Sequence, residues 1–95
     1  MTYKLKFLPA AKKEWDKLAE PLRKQFKSKL LKRLGNPHVP SAKLKRYDSV
    51  YKIKLRTAGY RLAYEVIDDE IMVYVLAVGK RDKKAIYKKL ASRVD

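Results

Sequence analysis

The chain has 95 residues and carries 25 Lys and Arg against 10 Asp and Glu, a formal net charge of +15. A chain of that length supports one small domain, burying roughly 60–65% of the surface its unfolded form exposes, and a hydrophobic content of 46% is too high for a disordered chain. There is no cysteine, which excludes disulfides, thiolate catalysis and cysteine-based zinc sites.

The single histidine, His38, sits in the turn-like stretch Asn36-Pro37-His38-Val39-Pro40. A serine–histidine triad or a two-histidine ribonuclease site would have to rest on that one residue. No N-terminal apolar run resembles a signal peptide, and no stretch nears the roughly 20 apolar residues of a membrane span. A soluble cytoplasmic protein is expected, with no membrane partner, no cofactor and no metal.

In chain order, Tyr3-Lys4-Leu5-Lys6-Phe7 alternates apolar and basic residues, as a strand with one buried face does. Pro9 suits the first turn of a helix in which Leu8, Ala11, Trp15 and Leu18 recur at helical spacing. Pro21 opens a second helix with the stripe Leu22, Phe26, Leu30, Leu31 and Leu34, and Gly35-Asn36-Pro37 ends it. So short a connection predicts an antiparallel helical hairpin. Residues 35–48 read as a loop carrying Lys43, Lys45 and Arg46.

Three strands follow. Tyr51, Ile53 and Leu55 alternate with Lys52, Lys54 and Arg56; after the turn Thr57-Ala58-Gly59, Tyr60, Leu62, Tyr64 and Val66 alternate with Arg61, Ala63 and Glu65. Asp68-Asp69 marks another turn, and Ile71 to Val78 is apolar on both faces, as a central strand is. Lys83 to Arg93 reads as a last helix with Ala85, Ile86 and Leu90 inward. With no repeat or linker, residues 1–95 form one α+β domain: a strand, a helical hairpin, a three-strand meander and a helix.

The charge is segregated. Residues 22–56 hold twelve Lys or Arg and one acid, Asp48, and residues 80–93 hold seven more beside Asp82. Lys24, Lys27, Lys29 and Lys32 suit the solvated face of an amphipathic helix as well as a polyanion contact. The strand is more telling, because period two puts Lys52, Lys54 and Arg56 on one face, with Arg61 of the next strand able to join them. At about 7 Å and an effective dielectric near 20, one such like-charge pair costs about 2 kcal/mol, which a bound phosphate relieves. The competing reading is a charged face that protects the sheet from aggregation. Tyr3, Tyr51, Tyr60 and Tyr64 fall on the apolar phase of strands and belong in the core. Tyr87 lies on the basic last helix, either as a stacking platform for a base or as a cover for the core edge.

Taken together, Tyr51-Lys52-Ile53-Lys54-Leu55-Arg56, Gly59-Tyr60-Arg61-Leu62, Val78-Gly79-Lys80-Arg81 and Tyr87 resemble the RelE toxins of bacterial toxin–antitoxin pairs. The resemblance runs the whole length, through Lys13-Glu14-Trp15 and Lys43-Leu44. It implies a small antiparallel sheet, the N-terminal strand plus the meander, packed with helices. It also implies an endoribonuclease that binds the ribosome and cuts mRNA in the decoding site by attack of a ribose 2′-hydroxyl, leaving a cyclic phosphate. The family's functional residues fall here on Lys52, Lys54, Arg61, Arg81 and Tyr87. Arg61 would clamp the phosphate, Lys52 and Lys54 would stabilise charge on the pentacovalent phosphorus, Arg81 would stand by the leaving oxygen and Tyr87 would stack on or orient a base.

The same resemblance makes Lys24, Lys27, Lys29, Lys32, Lys43, Lys45, Arg46 and Arg56 candidate RNA contacts, and where the family places an arginine directly after the loop leucine this chain has Lys45-Arg46. Implied partners are the ribosome and mRNA, a RelB-like antitoxin, and operator DNA reached through that antitoxin. Two rival readings use the same scaffold. A ParE-like gyrase inhibitor does not need the combined set of five, and a noncatalytic RNA-binding module needs only charge and tyrosines.

Overall fold

The computed structural model describes residues 2–80 and 83–93. Its elements are β1 (Lys4–Phe7), α1 (Pro9–Asp16), α2 (Glu20–Gly35), β2 (Val50–Leu55), β3 (Tyr60–Ile67), β4 (Met72–Lys80) and α3 (Lys83–Arg93), with 3-10 turns at Pro40–Ala42 and Asp68–Glu70. The four strands form one sheet in the order β1-β4-β3-β2. Residues β2 to β4 make the expected antiparallel meander, but β1 joins β4 in parallel, Lys4 opposite Met72 and Phe7 opposite Val75. No tight hairpin links β1 to β4, so turn geometry does not impose an antiparallel pairing there. The N-terminal strand is instead set by its ends: Tyr3 N–H donates to Leu34 O and Lys4 N–H to Ile71 O.

The sheet separates two cores. On one face Tyr51, Ile53, Leu55, Leu62, Tyr64, Val66, Val73, Val75 and Val78 pack with Ala11, Leu18, Phe26, Leu30 and Leu34 of the helical hairpin. On the other, Val50, Ala63, Leu76 and Ala77 pack with Leu44 and with Ile86 and Leu90 of α3. Strand β4 is therefore buried on both sides, which explains its unbroken apolar run. Tyr51 and Tyr64 stack in the first core at 5.7 Å, with Tyr3 and Tyr60 partly buried against it.

Leu31 departs from the expected stripe. It is 57% exposed, whereas Phe26, Leu30 and Leu34 are buried. The contact line of α2 runs at steps of four, and Leu31 projects about 100° away from Leu30 around the helix. Prolines start both hairpin helices, one at the beginning of α1 and one in the first turn of α2. Arg23 then closes the hairpin, donating to Leu18 O at 2.8 Å and Asp16 O at 3.2 Å, where the last carbonyls of α1 need partners. Gly59 takes a φ of 71° in the β2–β3 turn, and its N–H reaches Leu55 O at 2.8 Å.

Charged side chains cover the free backbone along β2. On the outer edge of that strand, Arg33 of α2 donates to Lys52 O and Lys29 to Lys54 O, each at 3.3 Å. Leu44 N–H meets Val50 O at 2.9 Å. An edge strand occupied in this way offers fewer groups for pairing with another chain.

Candidate functional site

Two rows of residues cross the sheet beneath α3. Lys54 of β2 lies opposite Arg61 of β3, which lies opposite Gly79 of β4; one step along, Lys52 lies opposite Ala63, which lies opposite Ala77. Cross-strand neighbours hold their Cβ atoms about 5 Å apart, so the strand pattern alone brings three cations together. Ala63 and Ala77 of the second row are buried in the core with Ile86 and Leu90 of α3.

The result is a cleft of about 400 Å³ lined by Lys52, Lys54, Arg61 and Tyr87, with Lys43 and Lys45 at its wall. Arg61 is 7% exposed, and its Nε is buried with no hydrogen-bond partner among the described residues. A buried donor left in that state costs on the order of 1–3 kcal/mol. Its cost falls when an anion enters the cleft, and a guanidinium fork matches two phosphate oxygens. Tyr87 is half-buried at the rim, with the Arg46 guanidinium 5.5 Å from its ring centroid. That distance permits a cation–π contact.

Four of the five residues proposed for catalysis from the sequence thus share one cleft, and Arg81 lies outside the described residues. The wider set of basic residues divides. Lys29, Lys32 and Arg56 line a neighbouring groove of about 460 Å³ between α2 and β2, which also reaches Lys52 and Lys54. Arg56 follows the last residue of β2 and is exposed in the turn. Lys24 and Lys27 stand elsewhere, around a hollow beside Trp15 and Glu20, and Lys24 pairs with Glu20 at 3.4 Å.

Arg33 was not singled out in the sequence. It donates to the Tyr64 hydroxyl at 2.8 Å as well as to the β2 edge, and only its spacing of four from Lys29 hinted at a shared helix face. His38 is distant from the cleft chemistry in its contacts. Its Nε2 lies 2.8 Å from Asp68 Oδ1, which also accepts from the Tyr3 hydroxyl at 2.7 Å, and its Nδ1 lies 3.3 Å from the Tyr51 hydroxyl. The Tyr3 and His38 hydrogen bonds hold the Asp68 carboxyl below its ordinary range. Among the described residues no cluster of three or more His, Cys, Asp or Glu side chains stands ready to hold a metal ion, and no helix is long and apolar enough to cross a membrane.

Over its length the chain is similar to known proteins. The family model of the ParE toxin of type II toxin–antitoxin systems matches residues 5–85. Over 94 residues, covering 99% of both chains, the sequence is 47% identical to a RelE-like toxin protein of Escherichia coli and 44% identical to the mRNA interferase toxin RelE of Escherichia coli strain K12. The chain belongs to the RelE family of toxins of type II toxin–antitoxin systems. A free-state mutant of E. coli toxin RelE superposes with a TM-score of 0.93 at 42% identity, over 100% of both chains. RelE in the intact E. coli RelBE toxin–antitoxin complex gives 0.82 at 46% identity, over 85% of this chain and 99% of the other. Near-complete coverage at this identity places the chain with RelE.

Proposed function

We propose that this RelE-family toxin is an endoribonuclease that cuts mRNA in the ribosomal decoding site and so inhibits translation. The observation that carries the proposal is the cleft itself: Lys52, Lys54, Arg61 and Tyr87 converge there, and the Arg61 Nε is buried without a partner. A phosphodiester supplies acceptor oxygens of the kind the Arg61 Nε has no partner for among the described residues. The relatives named as mRNA interferases support the same chemistry.

In the proposed reaction the 2′-hydroxyl oxygen attacks the adjacent phosphorus, the bond to the 5′ oxygen breaks, and a cyclic phosphate and a free 5′-hydroxyl result. Arg61 clamps the phosphate. Lys52 and Lys54 stabilise the charge that grows on its oxygens. Arg81 assists the leaving oxygen, and Tyr87 holds a base by its face or helps with the 2′ proton. Among the described residues the cleft is lined by neither histidine nor carboxylate, which leaves removal of the 2′ proton to weaker bases. A ribosome that fixes mRNA in an in-line geometry would contribute several kcal/mol, roughly, through positioning. Lys43, Lys45, Arg46, Arg56, Lys29 and Lys32 extend the cationic surface around the cleft for ribosomal RNA, and Lys24 and Lys27 form a separate, more peripheral contact. A RelB-like antitoxin is the proposed protein partner, as in the RelBE complex of the relative, with operator DNA reached through it and the cytoplasm as the site of action.

Primer extension on a defined mRNA, with and without ribosomes holding an empty decoding site, tests this. Cuts that need ribosomes and fade in Arg61→Ala and Tyr87→Ala are expected. If neither template is cut, the proposal fails and inhibition of gyrase supercoiling becomes the next assay, since the ParE family model also matches. Cleavage of naked RNA at the ribosomal rate would remove the ribosome from the mechanism.

A further inference from the structure

Strand β1 stops at Phe7, while β4 runs on to Lys80. The last backbone bond along that edge is Leu8 N–H to Val75 O at 2.9 Å. Beyond it, side chains replace the missing strand. Glu14 of α1 accepts from Val78 N–H at 3.1 Å, Lys89 of α3 donates to Val78 O at 3.1 Å, and Arg93 of α3 donates to Leu76 O at 2.9 Å.

The same three side chains pair with one another. Lys89 Nζ is 2.7 Å from Glu14 Oε2, and the Arg93 fork reaches both carboxylate oxygens, at 2.9 and 3.2 Å. The Glu14 and Arg93 side chains are only 20% and 17% exposed. Burial alone would raise the Glu14 carboxyl, but hydrogen bonds from Arg93, Lys89 and Val78 N–H outweigh it and hold the group below its ordinary range. One carboxylate therefore ties the helices of both sheet faces together across an open strand edge. Gly79 makes room for it, since a Cβ there would lie 2.9 Å from Lys89 Nζ.

Among the described residues, the rest of the α3 packing is mainly apolar, through Ile86 and Leu90, with Tyr87 beside the Arg46 guanidinium. Apolar burial is non-directional and does not by itself fix how far a helix slides along a sheet. The bidentate pair and the two backbone contacts are directional. We propose that Glu14 is a positioning residue for the cleavage site: through Lys89 and Arg93 it sets where α3 rides on β4, and so where the Tyr87 ring stands relative to Lys52, Lys54 and Arg61. This rests on the cleavage function proposed above, and Glu14 itself touches no substrate.

The test uses full-length toxin with 3-fluorotyrosine at residue 87 alone, and compares wild type, Glu14→Gln, Lys89→Gln and Arg93→Gln. The last two break the bridge from the α3 side and leave the carboxylate in place, so they guard against a Glu14 variant that folds badly. The fluorine resonance is expected to move in all three variants, with kcat on programmed ribosomes at least ten-fold lower in Glu14→Gln and KM unchanged. An unmoved resonance, or full activity in Glu14→Gln and Arg93→Gln, overturns the proposal. Should wild type cut nothing, the cleavage reading fails while the fluorine resonance still decides whether Glu14 sets the position of α3: a shift upholds that placement and no shift overturns it.

Discussion

Replacing Arg61 by methionine separates stability from activity. Arg61 is buried, its Nε has no partner among the described residues, and Lys54 stands directly opposite on β2. The unpartnered donor costs on the order of 1–3 kcal/mol, and one like-charge neighbour at about 7 Å adds about 2 kcal/mol in an effective dielectric of 20. Methionine occupies a similar volume without either penalty, at some cost in packing. The expected net gain is about 2 kcal/mol, or a rise in Tm of roughly 8–16 °C for a domain of this size. Thermal melts of the purified protein in low-phosphate buffer measure it. Repeating them with added inorganic phosphate should raise the wild-type Tm more than that of Arg61→Met, because the variant keeps the cleft lysines but lacks the buried arginine's clamp. Cleavage by the variant should be lost. A lower Tm for Arg61→Met would refute the reasoning, since it would mean that the arginine's surroundings stabilise the cation and that its burial is structural.

Arg33→Ala should destabilise by about 1–2 kcal/mol in denaturant titration, because the Lys52 carbonyl loses its side-chain donor and the Tyr64 hydroxyl, still donating to Pro37 O, loses the charged donor it accepts from; Lys27→Ala, exposed on the same helix, should change stability by less than about 0.5 kcal/mol. Ile71 adopts a φ of 50°, a left-handed conformation that costs a β-branched residue about 1–2 kcal/mol, so Ile71→Gly should recover part of that as a higher Tm. Burial raises the Glu65 carboxyl, so the folded state is penalised once pH rises and that group ionises. Glu65→Gln should accordingly raise Tm at pH 7 more than at pH 4. Asp68 is shifted the other way: its contribution is present above the unfolded value of about 3.9 and is lost as pH falls through the lower folded one. Melts from pH 6 to 3 should therefore show a flatter acid limb for Asp68→Asn than for wild type.

Local chemistry made much of the fold legible. Period-two alternation in residues 51–66 named both faces of β2 and β3, the apolar run from Ile71 identified the central strand, and prolines and glycine marked the helix ends, because each signal depends only on residues a few positions apart. The direction of β1 was not legible: its partner lies some seventy residues away, and a four-residue strand carries no turn that dictates pairing. The exposure of Leu31 likewise follows from which face α2 turns to the sheet, which the adjacent Leu30 and Leu31 leave open.

For the candidate site, the cation row was readable because a strand must put Lys52 and Lys54 on one face. That Arg61 joins them depends on hairpin register, and that Tyr87 closes the same cleft depends on how α3 packs; both arise from contacts between distant segments. The Glu14 bridge to Lys89 and Arg93 shows the division most plainly. In sequence Glu14 is one acid of three near the end of α1, separated from its partners by 75 and 79 positions. Composition and periodicity determined that this chain is a basic α+β domain with a cationic strand face. Which cations are buried, which carboxylate anchors the last helix, and which tyrosine faces the cleft were decided only when the strands aligned, because burial and electrostatic partnership are properties of neighbours in space rather than in sequence.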